Sequence, residues 1–119
     1  MDHVLNTEQI PWTLLSGAGL RGCEQRRNII ANDYTDAYSA DVIRVAPGGW
    51  FIAQAEDVRC SISVLAGVGK AHVGEENSLV MAGAVIKISD GIPHKLENLS
   101  DEFLVFLAIY DPPQTGYEE

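Results

Sequence analysis

Cysteine is rare in this sequence, and long apolar runs are missing. The 119 residues contain two cysteines, Cys23 and Cys60, which are too few for the disulfide framework of a small secreted domain. The start of the chain at Met1 is polar and unlike a secretory signal. No apolar run approaches the roughly 20 residues of a membrane-spanning helix. We therefore expect free thiols and a cytoplasmic protein with no membrane partner.

Positive charge is also scarce. The sequence has 8 Lys+Arg against 17 Asp+Glu, which gives a formal net charge of -9. Nucleic acids are bound through clustered basic side chains, and the basic pair Arg26–Arg27 is too little for that role. The composition therefore predicts no nucleic-acid partner, and its acidity is typical of a small soluble protein.

Short β-type segments separated by frequent turn residues fill most of the chain. A hydrophobic content of 46% over 119 residues is enough for one core without crosslinks, so residues 1–119 are expected to form a single domain. Residues 1–25 are expected to be a peripheral or interface segment. Many short strands with closely spaced turns are typical of an all-β sandwich or barrel.

The expected strands follow from β-branched and aliphatic residues between turn signals. The segment Glu24–Ala31 fits either a helix or a strand, and Ile29–Ile30 favours the strand. Leu79–Gly83 is expected to be a turn. The other expected strands are Asp41–Ala46, Trp50–Ala55, Arg59–Ala66, Gly69–Val73, Ala84–Ile88, Pro93–Glu97 and Phe103–Tyr110.

One segment carries a spaced motif. After Gly83, a hydrophobic strand leads into a turn at Ser89–Gly91, and a second strand then presents His94, with Asn98 four residues later. This pattern resembles the second signature motif of the cupin family, G-x5-P-x-G-x2-H-x3-N, with Ser89 in place of the proline. The resemblance implies a cupin double-stranded β-helix, also called a jelly-roll barrel, in which His94 would be a metal ligand.

The earlier cupin motif, G-x5-H-x-H-x3,4-E-x6-G, fits in spacing but not in ligands. With Gly67 as its last glycine, its two histidines fall on Gln54 and Glu56, and its glutamate falls on Cys60. Positions 54, 56 and 60 share parity, so on an uninterrupted strand they lie on one face. The resemblance therefore implies that Gln54, Glu56, Cys60 and His94 occupy the four ligand positions.

Two uses of these four side chains stay open. A thiolate beside an imidazole favours Zn or another thiophilic metal if the metal displaces the thiol proton, whereas Fe, Mn and Ni suit the usual cupin shell. Without a metal, Glu56 and His94 would form a hydrogen-bonded pair, capped by Gln54, that exchanges protons near neutral pH. Cys60 would then be a small buried residue; a Cys60 nucleophile activated by His94 is the weaker alternative. The metal-free pocket is favoured.

Two further segments, Arg26–Asp33 and the tail Tyr110–Glu119, resemble ectoine synthase, a family of small acidic cupins that close a ring with loss of water. The metal-binding Glu and Tyr of that family fall on Cys60 and Ile86 here, and only His94 matches. The resemblance implies a relative with a lost or changed activity, and not ectoine synthase itself.

Three other side chains join Gln54 as candidates for substrate binding. An inward Arg44 would anchor a carboxylate substrate, whereas an outward Arg44 is a solvated charge, and the outward orientation is favoured. For Trp50 packing is favoured, with stacking on a substrate as the alternative. For Tyr38 core packing is the default, with a hydroxyl group supplied to the cavity as the alternative.

The sequence supports three functions. The favoured one is a lyase, isomerase or cyclase in which Glu56 and His94 act on a small polar molecule inside the barrel, with an atypical or absent metal. A metal-dependent dioxygenase is weakened, because non-haem iron typically uses two histidines and a carboxylate. The third is a non-catalytic small-ligand-binding module. Small cupins resemble one another in forming homodimers, so a second copy is the expected partner, with Ile10–Leu15 as a candidate interface.

Overall fold

In the computed structural model, which describes residues 3–113, nine strands form one curled antiparallel sheet. A short 3-10 turn, Thr7–Gln9, precedes them. No helix within the described range is long and apolar enough to cross a membrane. The strands are β1 (Thr13–Leu15), β2 (Leu20–Ile30), β3 (Ser39–Ala53), β4 (Arg59–Ala66), β5 (Val68–Val73), β6 (Glu76–Met81), β7 (Val85–Ile88), β8 (His94–Asn98) and β9 (Leu104–Asp111).

The sheet curls around the long strand β3, which both halves of the barrel share. The strand order is β6-β5-β8-β3-β9-β4-β7. The first half of β3 pairs with β9, where Val42 lies opposite Leu107, and its last residues pair with β8, where Phe51 lies opposite Leu96. Strand β2 pairs along β3, and β1 pairs with β2. This curled, all-β arrangement is the one that the turn spacing predicts.

Several of the expected strand boundaries differ from the structure. Strand β2, for example, begins at Leu20 and not at Glu24. Asp41–Ala46 and Trp50–Ala55 belong to one strand, β3, which bends between them, and the β2–β3 register shifts at the same place. Leu79–Gly83 is not only a turn, because Leu79 to Met81 complete β6. In β6 only Val80 is buried, so this strand lacks the alternating pattern from which a strand is recognised in a sequence.

The core follows the two-residue alternation of the strands. On β3, Ile43 and Val45 have no exposed surface, whereas Arg44 between them is half-buried on the opposite face. Each large apolar side chain buried in this way stabilises the fold by about 1.5–3 kcal/mol. The fully buried apolar side chains also include Ile62 on β4, Leu96 on β8, and Leu104 and Phe106 on β9.

The N-terminal segment packs on the barrel of its own chain. Leu15 and Cys23 belong to the hydrophobic core. On the outer surface the Trp12 ring lies 4.1 Å from the Arg26 guanidinium and 4.3 Å from that of Arg44. The segment therefore covers part of the sheet, and its role as an interface with a second copy stays a prediction.

Candidate functional site

A small cavity lies at one end of the barrel, where several strand ends meet. Ala53 at the end of β3 is opposite His94 at the start of β8, and Cys60 on β4 is opposite both Tyr110 on β9 and Ile88 on β7. These five residues line a cavity of about 60 Å³. Gln54 also lines this cavity, so the fold brings three of the four expected ligand residues, Gln54, Cys60 and His94, to one space.

His94 is held as a neutral imidazole. Its side chain is 7% exposed, and Nδ1 lies 3.1 Å from the Ile92 carbonyl oxygen. Since a carbonyl can only accept, Nδ1 carries the hydrogen and Nε2 carries the lone pair. Burial lowers the pKa of His94, and the hydrogen bond to Ile92 opposes this only in part. The cavity is therefore lined by an imidazole whose Nε2 is a free base.

Cys60 is a buried thiol rather than a thiolate. Its side chain is 7% exposed, and burial raises its pKa to about 12. The thiolate is the form that attacks electrophiles and ligates metals, and this environment disfavours it. Cys60 therefore packs in the cavity wall as a neutral group, and the nucleophile alternative loses its physical basis.

Gln54 and Glu56 do not share the face of Cys60. Strand β3 ends at Ala53, and Asp57 has a φ of 62°, so the chain turns before it reaches β4. The parity argument needs an uninterrupted strand, and this turn removes it. Gln54 and Glu56 are both exposed, whereas Cys60 is buried.

Both side chains lie against the turn at Gly91 instead. Gln54 Nε2 donates to the Gly91 carbonyl oxygen at 2.9 Å. The Glu56 carboxylate lies so close to Gly91 that a Cβ there would be 3.2 Å from one of its oxygens. Within residues 3–113, no hydrogen bond joins Glu56 to His94. The expected acid/base pair is therefore not formed, and the basic Nε2 of His94 has no carboxylate beside it.

Three solved structures share this arrangement of strands at low sequence identity. The polyketide cyclase RemF of Streptomyces resistomycificus has a TM-score of 0.81 and 19% identity over 93% of this chain and 80% of that one. A cupin-2 domain of Rhodospirillum rubrum has a TM-score of 0.79 and 19% identity, over 97% of this chain and 78% of that one. Ectoine synthase of P. lautus has a TM-score of 0.76 and 18% identity, over 97% of this chain and 81% of that one. The chain has the cupin fold.

These similarities concern the cupin fold and leave the activity open. No protein-family model matches the chain. No curated protein matches its sequence. The resemblance to cupins that the spacing around His94 indicates is confirmed at the level of the fold. Part of the tail that resembles ectoine synthase, residues 114–119, lies outside the described residues.

The side chains at the usual cupin ligand positions do not fit a metal centre. Across residues 3–113, no three His, Cys, Asp or Glu side chains are grouped so as to hold a metal ion. Cys60, His94 and the neutral amide of Gln54 line the cavity, whereas Glu56 does not. Metal binding would also have to remove the proton of a thiol whose pKa is about 12. No reaction step is therefore derived through a metal.

Arg44 and Trp50 lie on the outside of this cupin barrel. The Arg44 guanidinium is 2.7 Å from Glu24 Oε1 and stacks on Phe103 at 4.2 Å, in the outward orientation that the sequence favours. The Arg21 guanidinium lies 5.2 Å from the centroid of the Trp50 ring, and the Lys95 ammonium lies 5.5 Å from it. Neither side chain lines the cavity beside His94, so a role of either in binding a substrate stays a prediction.

Tyr38 lines two hollows on the outer surface and not the cavity, so its role in binding a substrate stays a prediction as well.

Sequence reasoning missed a buried carboxylate. Asp41 is 2% exposed, and burial raises its pKa, while the hydrogen bond from the Asn28 N–H, at 2.9 Å, and the charge of Arg27 lower it. The available signal was the two-residue alternation of a strand. Position 41 lies two residues before Ile43, so both side chains face inward, whereas Arg44 faces outward. Asp41 does not line the cavity beside His94.

Proposed function

We propose that this cupin domain binds a small polar molecule beside His94 and moves a proton on it, as a lyase, isomerase or cyclase without a resident metal. The observation that carries the proposal is the hydrogen bond from His94 Nδ1 to the Ile92 carbonyl oxygen. It fixes the tautomer that leaves Nε2 basic, in the interior space where ligands of β-barrels are commonly bound.

The proposed chemistry is general base catalysis. Nε2 of His94 accepts a proton from a carbon acid or a hydroxyl group of the substrate, and the imidazolium returns it to another atom or to a leaving group. The neutral thiol of Cys60 lines the same space and contributes a weak hydrogen-bond donor. Glu56 has no part in this step, since its carboxylate lies at the exposed Gly91 turn.

Access to the cavity depends on two segments that close over it. The Gly91 N–H donates to the Ala55 carbonyl oxygen at 2.8 Å, and Gln54 Nε2 donates to the Gly91 carbonyl oxygen at 2.9 Å. The cavity holds about 60 Å³, against roughly 300–1,000 Å³ for typical small-molecule sites. We therefore assign Gln54 a place at the mouth, where parting of the two segments admits the substrate.

The solved structures support the class of reaction. The cupin fold is shared with a protein named as a polyketide cyclase and with one named as an ectoine synthase. A barrel of this kind thus suits lyase and cyclase chemistry. A dioxygenase is disfavoured, because His94 is the single imidazole among the described residues that line the cavity, and oxygen-activating iron typically uses two.

Proton exchange with solvent tests the proposal. Deuterium incorporation from D₂O into a panel of small 2-oxo, hydroxy and amino acids is followed by NMR with the wild-type protein and with His94→Gln. We expect exchange of at least one panel member to be accelerated by the wild type and reduced by about 10²-fold or more in His94→Gln. His72→Gln, which changes a histidine on the outside of the barrel, serves as the matched control and is expected to keep the wild-type rate. Equal acceleration by wild type and His94→Gln would contradict the role of His94.

A non-catalytic ligand-binding module is the second candidate. The observation that favours it is the absence of a Glu, Asp or second His among the residues that line the cavity. This candidate predicts that no compound of the panel exchanges deuterium faster with the protein than in buffer, and that one of them nevertheless shifts the NMR signals of the His94 ring on binding.

A further inference from the structure

A larger hollow lies on the outer surface of the barrel, on the other side of the wall that Cys60 and Ile88 form. Its volume is about 480 Å³, within the roughly 300–1,000 Å³ of sites that bind small molecules. A second hollow of about 520 Å³ shares Ile30 and Tyr38 with it and continues past Val4. We call the first hollow the outer groove.

Strand pairing explains why the outer groove exists. Ser61 on β4 lies opposite Lys87 on β7 and Ile109 on β9, so these three residues form one row across three strands. All three point outward, because they alternate with the buried residues Cys60, Ile88 and Ala108. The small side chain of Ser61, in the middle of the row, leaves the floor of the groove low.

The walls of the outer groove are apolar along one side. Ile30 and Tyr38 line it together with Ile109 on the floor. Tyr38 also adds a phenol group at the junction of the two hollows. An aliphatic or aromatic body of moderate length therefore finds apolar contact along the groove.

The charged end of the outer groove is positive, although the chain carries a net charge of -9. Its charged lining residues are Arg59, Lys87 and Asp111. Arg59 is bound to Asp111 at 2.8 Å, whereas Lys87 has no ion-pair partner within residues 3–113. Two hydroxyl groups, those of Ser61 and Ser89, line the groove near this lysine. An anionic head group is the ligand that this set of donors complements.

We propose that the outer groove binds an amphipathic carboxylate, with its apolar body on Ile30, Tyr38 and Ile109 and its head group at Lys87. This site is separate from the cavity beside His94 and does not depend on the proposed acid/base activity. The carboxylate exchanges water for the ammonium of Lys87 and the hydroxyl of Ser89, and the apolar body is removed from water along the sheet.

Calorimetric titration of the full chain with decanoate tests the proposal, with decyltrimethylammonium as a probe of equal chain length and opposite charge. We expect decanoate to bind and the cationic probe to bind at least about tenfold more weakly, since Lys87 is repelled by it. Comparable binding of both probes would overturn the assignment of an anionic head group, and no binding of decanoate would overturn the site.

Two matched pairs of variants locate the binding. Ser61→Leu fills the groove floor and is expected to weaken decanoate binding by about tenfold or more, whereas Ser63→Leu, two residues along the same outward face of β4, leaves it unchanged. Lys87→Gln is expected to weaken it by about tenfold, whereas Lys70→Gln, on β5, does not. Equal effects within either pair would overturn the location.

A second copy of the chain is the competing occupant of this surface. If a second copy covered the groove, the apparent affinity for decanoate would fall as the protein concentration rises, because dimerisation and ligand binding would then be mutually exclusive. We expect an affinity that is independent of protein concentration, and a concentration-dependent loss would overturn the proposal in favour of an interface.

Discussion

At the scale of single residues, two histidines show how surroundings decide chemistry. His72 lies on the outside of the barrel, where Nδ1 contacts Asn77 Oδ1 and Nε2 lies 3.0 Å from Glu97 Oε1. That contact with His72 lowers the pKa of Glu97. His94, in contrast, is buried, with Nδ1 donating to the Ile92 carbonyl oxygen and the ring 6.5 Å from that of Phe51. The same side chain thus bridges an amide and a carboxylate at one position and is a buried neutral base at the other.

The lowered pKa of His94 predicts a pH dependence of stability. In the unfolded chain a histidine titrates near about 6.5, and the folded chain takes up that proton only at lower pH. Well above about 6.5, His94 is neutral in both the folded and the unfolded chain, so its protonation does not change the free energy of unfolding there. As the pH falls below about 6.5, the unfolded state binds more protons and the free energy of unfolding decreases.

Urea unfolding at about pH 7.5 and about pH 5 checks this prediction. We expect the wild type to lose more stability between the two pH values than His94→Gln, with each unit of pKa lowering worth about 1.4 kcal/mol. His3→Gln, which changes an exposed histidine, should behave like the wild type. An identical loss in wild type and His94→Gln would mean that His94 titrates normally.

At the scale of strands and turns, the motif spacing was the strongest guide. The motif glycines Gly67, Gly83 and Gly91 all have positive φ, at 89°, 97° and 78°, so the pattern marks turns that other residues enter only with strain. The motif asparagine, Asn98, donates to the Val45 and Glu102 carbonyl oxygens. Local backbone demands of this kind are readable from a sequence.

The sequence did not show where strand β3 ends. Parity placed Gln54, Glu56 and Cys60 on one face, but β3 ends at Ala53 and the turn at Asp57 resets the alternation. Side-chain direction depends on whether a strand is continuous, and turn positions of this kind carry no glycine or proline here. The expected Glu56–His94 pair was wrong for this reason.

The turn at Gly67 gives a prediction at this scale. A Cβ there would lie 2.4 Å from the Phe103 carbonyl oxygen, whereas a Cβ at Gly48, with φ of 78°, would meet nothing within 4 Å. Gly48→Ala is expected to cost roughly 1–2 kcal/mol from the left-handed conformation alone. Gly67→Ala carries the same strain and a backbone clash, so we expect a loss of about 4 kcal/mol or more. Thermal unfolding of both variants measures the difference; equal losses would contradict the tight β4–β5 turn.

At the scale of the whole molecule, the barrel has a small cavity beside His94 and larger hollows on its outer surface. The volumes are about 60 Å³ beside His94 and about 480 Å³ in the outer groove. Composition and turn spacing were enough to predict a compact β fold, because they report on burial and chain reversal. They could not predict the volumes, which depend on side chains that distant strands bring together.

The expected homodimer remains a prediction at this scale. Leu14 on the short strand β1 is 75% exposed and belongs to the candidate interface Ile10–Leu15. Leu79 on β6 is 70% exposed and lies outside that segment. We expect light scattering to give twice the mass of one chain, with Leu14→Asp shifting the equilibrium to monomers and Leu79→Asp leaving it unchanged. A monomeric wild type, or equal effects of both substitutions, would contradict this interface.

The most direct test of the central claim is the state of the His94 ring, observed by long-range ¹H–¹⁵N NMR across pH and then with added Zn²⁺. The account predicts a neutral ring with the hydrogen on Nδ1, a pKa below that of an ordinary histidine, and no change of the Nε2 signal with stoichiometric Zn²⁺. A hydrogen on Nε2, an ordinary or raised pKa, or a zinc-dependent shift of Nε2 would contradict a metal-free base in this cavity.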